Sequence, residues 1–356
     1  MSTVKFIRES DLRGLAGDLL AAGTFVAGPT RRAGPQGERF EYAALTRAEE
    51  LAPGPGLPRR PLKEFFFPPT EPLLHWRQKK NDVELEEVPT TFVPRVLLGV
   101  RPCDAAAVEA LDKVMGWDYR DELWFGRREA TTIVALACSG PVDASCFCTT
   151  VGLGPDGTRG ADVLLVPAPG GYLAEAATPK GEALLAQHAK RFADPTADAT
   201  AKAQESRAAA RAAVGKNLQA SPERITSWLG ANFEHPFWKG LALRCHGCGA
   251  CATLCPTCHC FDIVDEPDRF DHGTRRRNWD TCQTSRFTVH ASGHNPRADQ
   301  NARMRQRVMH KFSIYPQRFQ QLLCTGCGRC ARGCGGGMDL LQVLTELDRL
   351  AAGGAP

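Results

Sequence analysis

Eight cysteines near the C-terminal end stand in two unbroken ladders. Cys245, Cys248, Cys251 and Cys255 lie in RCHGCGACATLCP, and Cys324, Cys327, Cys330 and Cys334 lie in LCTGCGRCARGCG. Each ladder reads C-x2-C-x2-C-x3-C, a spacing with which thiolates hold a [4Fe–4S] cluster. Gly247, Gly249, Gly326 and Gly328 suit such a wrap. They supply φ > 0 and let the backbone come close to sulfide.

Where two such runs occur together, the fourth cysteine of each run ligates the cluster held by the other. This assigns Cys245, Cys248, Cys251 and Cys334 to one cluster, and Cys324, Cys327, Cys330 and Cys255 to the second. Zinc sites space two short cysteine knuckles, or a Cys/His pair, rather than an unbroken run of four. A non-redox zinc-binding interaction module is therefore the remote alternative. The second ladder is followed by Gly335-Gly336-Gly337 instead of proline, which keeps the ligand set and leaves the local chain direction open.

The elements that must position these ladders belong to a chain of 356 residues, long enough for two domains with real cores. A formal net charge of +4 is too mild to argue for nucleic acid or an anionic membrane. The N-terminus has no apolar signal core, and no uninterrupted apolar run could cross a bilayer, so a cytoplasmic protein with no membrane span is expected. Fifteen cysteines in a reducing compartment point to metal ligation rather than disulfides.

The sequence predicts an α/β (α+β) protein. A mixed α/β domain spans 1–180, a helical connection 181–238, and a ferredoxin-like 2[4Fe–4S] domain 239–356, with a long insertion between its two cluster motifs. In the first, Glu9 to Ala22 has apolar residues at helical spacing, RVLLGV (Arg95–Val100) reads as a buried strand, and Asp104 is a candidate N-cap for the alanine-rich helix ending near Met115. TTIVALA (Thr131–Ala137), Val163 to Val166 and Tyr172 to Ala176 continue the sheet. Phe65-Phe66-Phe67 between prolines reads as a buried anchor, with a docking patch as the alternative. Gly152, Gly154 and Gly157 match G-x-G-x-x-G, but turn residues and a strand follow, so a loop is expected instead of a dinucleotide site. Ala199 to Ala213 has high helix propensity and a thin apolar stripe, as in an exposed arm. Ser221-Pro222-Glu223 opens a further helix, and Met338 to Leu350 closes the chain with an amphipathic one.

Seven cysteines remain. Cys103 and Cys138 sit just past strand ends, where open α/β sheets gather ligands, and Cys146 and Cys148 follow in a loop. These four could converge on a third cluster, or remain ordinary buried thiols. Cys258, Cys260 and Cys282, with His259, His272 and His294 nearby, are candidate further ligands or neighbours of a cluster. The insertion also holds Arg275, Arg276, Arg277, Arg297, Arg303, Arg305, Arg307 and Lys311. They could dock an acidic partner, offset cluster charge, or form a solvated face.

Taken together, the ladders, the FFFP segment, Pro102-Cys103-Asp104, Cys146-Phe147-Cys148, His235-Pro236-Phe237-Trp238, the block Cys255 to Cys260, Trp279 to Cys282, Gly293-His294-Asn295 and Met309-His310-Lys311 resemble one family. It is that of the iron–sulfur beta subunits of soluble cytoplasmic [NiFe] hydrogenases (sulfhydrogenases), with the equivalent iron–sulfur chain of anaerobic sulfite reductase. The resemblance spans the chain from about residue 60 onward. It implies an electron-transfer subunit with the eight ladder cysteines as ligands of two [4Fe–4S] clusters, and it favours an additional cluster from the other cysteines. The implied partners are hydrogenase small and large subunits, ferredoxin and a flavin/NAD(P)-binding diaphorase subunit; the sulfite reductase complex is the alternative setting.

Overall fold

The computed structural model describes residues 3–35 and 37–354. Its strands are β1 (Val4–Arg8), β2 (Phe25–Gly34), β3 (Gly37–Ala44), β4 (Thr70–Lys79), β5 (Asp82–Glu87), β6 (Arg95–Val100), β7 (Thr131–Leu136), β8 (Val163–Ala168), β9 (Gly171–Ala176), β10 (Phe261–Arg269) and β11 (His272–Trp279). The helices are α1 (Glu9–Ala21), α2 (Pro102–Met115), α3 (Glu122–Glu129), α4 (Pro179–Gln187), α5 (Ala197–Val214), α6 (Pro222–Ala231), α7 (Phe237–Leu241), α8 (Ala250–Thr253), α9 (Gln300–Met309), α10 (Tyr315–Phe319), α11 (Arg329–Arg332) and α12 (Leu340–Ala351).

A seven-stranded sheet runs β1-β9-β8-β7-β6-β2-β3. Its centre, β8-β7-β6-β2, is parallel, and the flanking pairs are antiparallel. Successive side chains alternate between faces, so each central strand feeds two cores. Leu97, Ile133 and Leu164 pack with Phe66, Phe67 and α2 on one side, whereas Val96, Leu98, Val134 and Leu165 pack with α1 and α4 on the other. Gly99 breaks the alternation. It has φ +67°, the register shifts between Leu98 and Val100, and Val100 returns to the face of Leu97. This bulge aims the chain into α2, whose second residue is Cys103.

A second sheet, β10-β11-β4-β5, joins chain segments far apart in sequence. The hairpin β10–β11 comes from the insertion between the ladders, and β11 pairs antiparallel with β4, from residue 278 against 70 to 272 against 77. Buried Arg277 clamps the junction by bonding Glu71 and Asp121. A third core, built from α6, α9, α12 and Phe147, carries the C-terminal cluster region. Among the described residues no helix is long and apolar enough to cross a membrane.

Two expectations change. Asp104 is not the N-cap of α2; Arg101 holds that position, and Asp104 is buried in the first turn, committed to an ion pair described below. Nor is α5 a free arm. Ala199, Ala203, Ala210 and Val214 are buried, because alanine lets a helix backbone lie close against β8 and β9. The phenylalanine run is the anchor expected of it, with Phe66 and Phe67 fully enclosed.

Candidate iron–sulfur centres

Both ladders are built alike. Gly247, Gly249, Gly326 and Gly328 all adopt left-handed φ between +63° and +75°, bending each C-x2-C-x2-C run around a point before a single helical turn, α8 or α11, carries the third cysteine. The second ladder is also cradled from outside. A Cβ on Gly326 would lie 2.5 Å from the backbone of Phe147 and Cys148, and Phe147 N–H donates to Gly326 O at 2.8 Å.

The side chains line three cavities. Cys245, Cys248, Cys251 and Cys334 line the first, together with Cys330. Cys255, Cys324, Cys327 and Cys330 line the second. Cys103, Cys138, Cys146 and Cys148 line the third, at the C-terminal ends of β6 and β7, together with Cys327 of the second ladder. The cavities therefore share walls: Cys330 borders the first and second, and Cys327 the second and third.

Cys258, Cys260 and Cys282 line none of these three cavities. Cys258 shares a hydrogen bond with Cys255, and Cys260 shares one with Cys282. Their histidine neighbours disperse. His272 begins β11, a full strand away from Cys282, His294 packs edge-on against His290 at 5.2 Å, and His259 packs edge-on against His310 at 5.5 Å. Among the described residues no three His, Cys, Asp or Glu side chains gather around a single metal-ion position.

The surroundings suit thiolate-bound clusters. Burial raises the thiols of Cys103, Cys138, Cys251 and Cys327, and pushes those of Cys148 and Cys324 up to about 12. Cations and donors that favour the thiolate stand close by. Lys311 Nζ donates to Cys255 Sγ at 3.3 Å, Gln300 Nε2 to Cys245 Sγ at 3.2 Å, and the Met338 N–H to Cys334 Sγ at 3.2 Å. Cys255 is held low, by its bond with Cys258 and by Lys311. Arg307, 5% exposed, lies in the wall common to the first and second cavities, yet its Nε and Nη2 reach no acceptor. Thr325 Oγ1, in the second cavity, is likewise buried without a partner. Orphaned buried donors beside paired thiols fit an anionic sulfide-bearing group.

Two buried polar links tie the cavities to the N-terminal sheet. Arg329, between Cys327 and Cys330, forks onto Asp104 at 2.7 and 2.8 Å, and Tyr42 O–H donates to the same carboxylate at 2.9 Å. Lys63 is 3% exposed, sits over the Trp279 ring and donates to Cys258 O at 2.7 Å. Burial lowers its ammonium below the ordinary range. Sequence reasoning missed Lys63 and Arg329 as parts of the site. Their only signal was position, in the FFFP block and inside the second ladder.

Residues 244–338 match the family model described as a 4Fe-4S dicluster domain, and the chain is an iron–sulfur protein. Over 323 residues, 90% of this chain and 92% of the relative, it is 29% identical to "Sulfhydrogenase 2 subunit beta" of Pyrococcus furiosus. The two findings support the iron–sulfur hydrogenase beta-subunit family that the motifs resemble.

Proposed function

We propose that the chain is the iron–sulfur electron-transfer subunit of a multi-subunit [NiFe] hydrogenase, relaying single electrons between a flavin/NAD(P)-binding subunit or ferredoxin and the catalytic small and large subunits. The observation that carries this reading is the row of three cysteine-lined cavities with shared walls. Cys245, Cys248, Cys251 and Cys334 would hold one [4Fe–4S] cluster, Cys324, Cys327, Cys330 and Cys255 a second, and Cys103, Cys138, Cys146 and Cys148 a third. When bound, such a cluster supplies reversible one-electron exchange at a potential set by hydrogen bonds to sulfur, charge and solvent exposure.

The chain's own residues set those conditions. Gln300, Lys311 and the Met338 N–H donate to ligand sulfurs, which favours an added electron. Phe147, Val308 and Leu340 keep water from the inner walls. Cys248 is exposed, so the first cavity opens the row to the surface, where a redox partner would dock.

Iron, acid-labile sulfide and zinc content of anaerobically purified protein, with EPR of the reduced state, tests the reading. About twelve irons with matching sulfide are expected for three [4Fe–4S] clusters. About eight would remove the third cluster, and zinc without sulfide would end the electron-transfer reading. Co-purification with a siroheme subunit in place of a nickel-bearing one would move the chain to a sulfite reductase complex.

A further inference from the structure

Five arginines are buried among the described residues: two have carboxylates, and Arg101 and Arg303 donate instead to Gly54 O and to Gln300 Oε1, Arg297 O and Ala298 O. Arg277 bonds Glu71 and Asp121, and Arg329 bonds Asp104. Arg307 differs. It projects from the last turn of α9 into the wall between the first and second cavities, is 5% exposed, and leaves Nε and Nη2 without an acceptor. Among the described residues no carboxylate pairs with it; the groups whose charge acts on it most are the thiols of Cys251, Cys330, Cys258 and Cys255. A guanidinium stripped of water and given no counter-charge is as unfavourable as any unpaired buried ion. The anion it is built to meet must therefore lie in the cavities themselves.

Lys311, one turn further along in the π-helical turn His310–Ile314, is the instructive contrast. Its ammonium is also buried, but its hydrogen bonds go to Cys255 Sγ, Thr257 Oγ1 and Leu323 O, on the side of the second cavity alone.

We propose that Arg307 is a shared electrostatic anchor for the two dicluster-domain clusters, placed so that one fixed positive charge raises the reduction potential of both. Each cluster gains one negative charge on reduction, and a cation in low dielectric between them stabilises that charge on either side. Because the same charge acts on both clusters, their potentials rise together, and the energy step for an electron passing between them is left unchanged.

This inference rests on the two-cluster reading, and its test separates the two. Anaerobic wild-type protein, Arg307→Met, Arg307→Lys and Lys311→Met are compared for iron and sulfide content and for midpoint potentials by EPR-monitored titration. Iron and sulfide equal to wild type, with both potentials shifted downward in Arg307→Met, a smaller shift in Arg307→Lys, and a shift of the second cluster alone in Lys311→Met, is the expected result. Full iron content with both potentials unmoved in Arg307→Met, or with only one moved, overturns the shared anchor. Should Arg307→Met lose its iron, Arg307→Gln, neutral but still hydrogen-bonding, carries the same comparison. Wild-type protein without sulfide would sink the cluster reading itself.

Discussion

Asp104 shows how a residue's role follows from what is buried around it. Its place two residues after Pro102 suits helix capping, yet it is fully enclosed and faces Arg329 across two hydrogen bonds. Removing one partner of a buried ion pair strands the other charge in low dielectric, which costs about 3–5 kcal/mol. Asp104→Asn should lower stability by that amount, read as the midpoint of anaerobic urea unfolding, while Asp104→Asn with Arg329→Met should recover part of it. Equal stability of wild type and Asp104→Asn would mean that the pair does not tie the second ladder to α2. Lys63 and Arg307 obey the same logic with different partners: backbone carbonyls and an aromatic face for one, the proposed clusters for the other.

At the scale of elements, the two ladder turns have the same backbone but different surroundings. Gly249 has φ +75°, and a Cβ there would meet the Thr281 side chain, which can rotate away. Gly326 has φ +63°, and its Cβ would meet the backbone of Phe147 and Cys148 at 2.5 Å, which cannot. Left-handed φ alone costs a non-glycine residue roughly 1–2 kcal/mol. Gly249→Ala should therefore cost about that much and keep most of its iron. Gly326→Ala should push the 145–148 loop off the second ladder and lose iron from the second and third centres; iron content per chain in the two variants distinguishes them. The hairpin β10–β11 is the other decisive element, since its pairing with β4 holds the insertion against the N-terminal half.

For the whole molecule, the proposed crossing of the ladders is the long-range constraint. Cys334 lies 89 positions after Cys245 but lines the same cavity, and Cys255 lines the cavity of the second ladder. Cys334→Ser should accordingly perturb the EPR signal of the cluster held by Cys245, Cys248 and Cys251. Alteration of the Cys324–Cys330 cluster alone would show uncrossed ligation. The row of cavities continues into the seven-stranded sheet, where the ends of β6 and β7 bring Cys103 and Cys138 to the loop bearing Cys146 and Cys148.

The ladders and their glycines were legible in sequence because a cluster wrap is local: spacing and φ > 0 are set within a dozen residues. The strands β6, β7, β8 and β9 and the helix α1 were legible for the same reason, since apolar strand and helix patterns are local signals, whereas the parallel strand β2 was not read. The strands β5 and β10 were not legible, because their apolar residues are few, Val83 and Leu85 in β5 and Phe261, Ile263 and Val264 in β10, set among charged positions and exposed along most or all of the strand rather than facing a core. Pairing of the insertion hairpin with β4, the ion pair of Arg329 with Asp104, and the orphaned guanidinium of Arg307 each join residues separated by long stretches of chain or depend on what is missing nearby. Spacing carries no record of such contacts. Residue types and intervals determined which cysteines can hold iron, whereas only the tertiary structure decided which cavities adjoin and which buried charges face them.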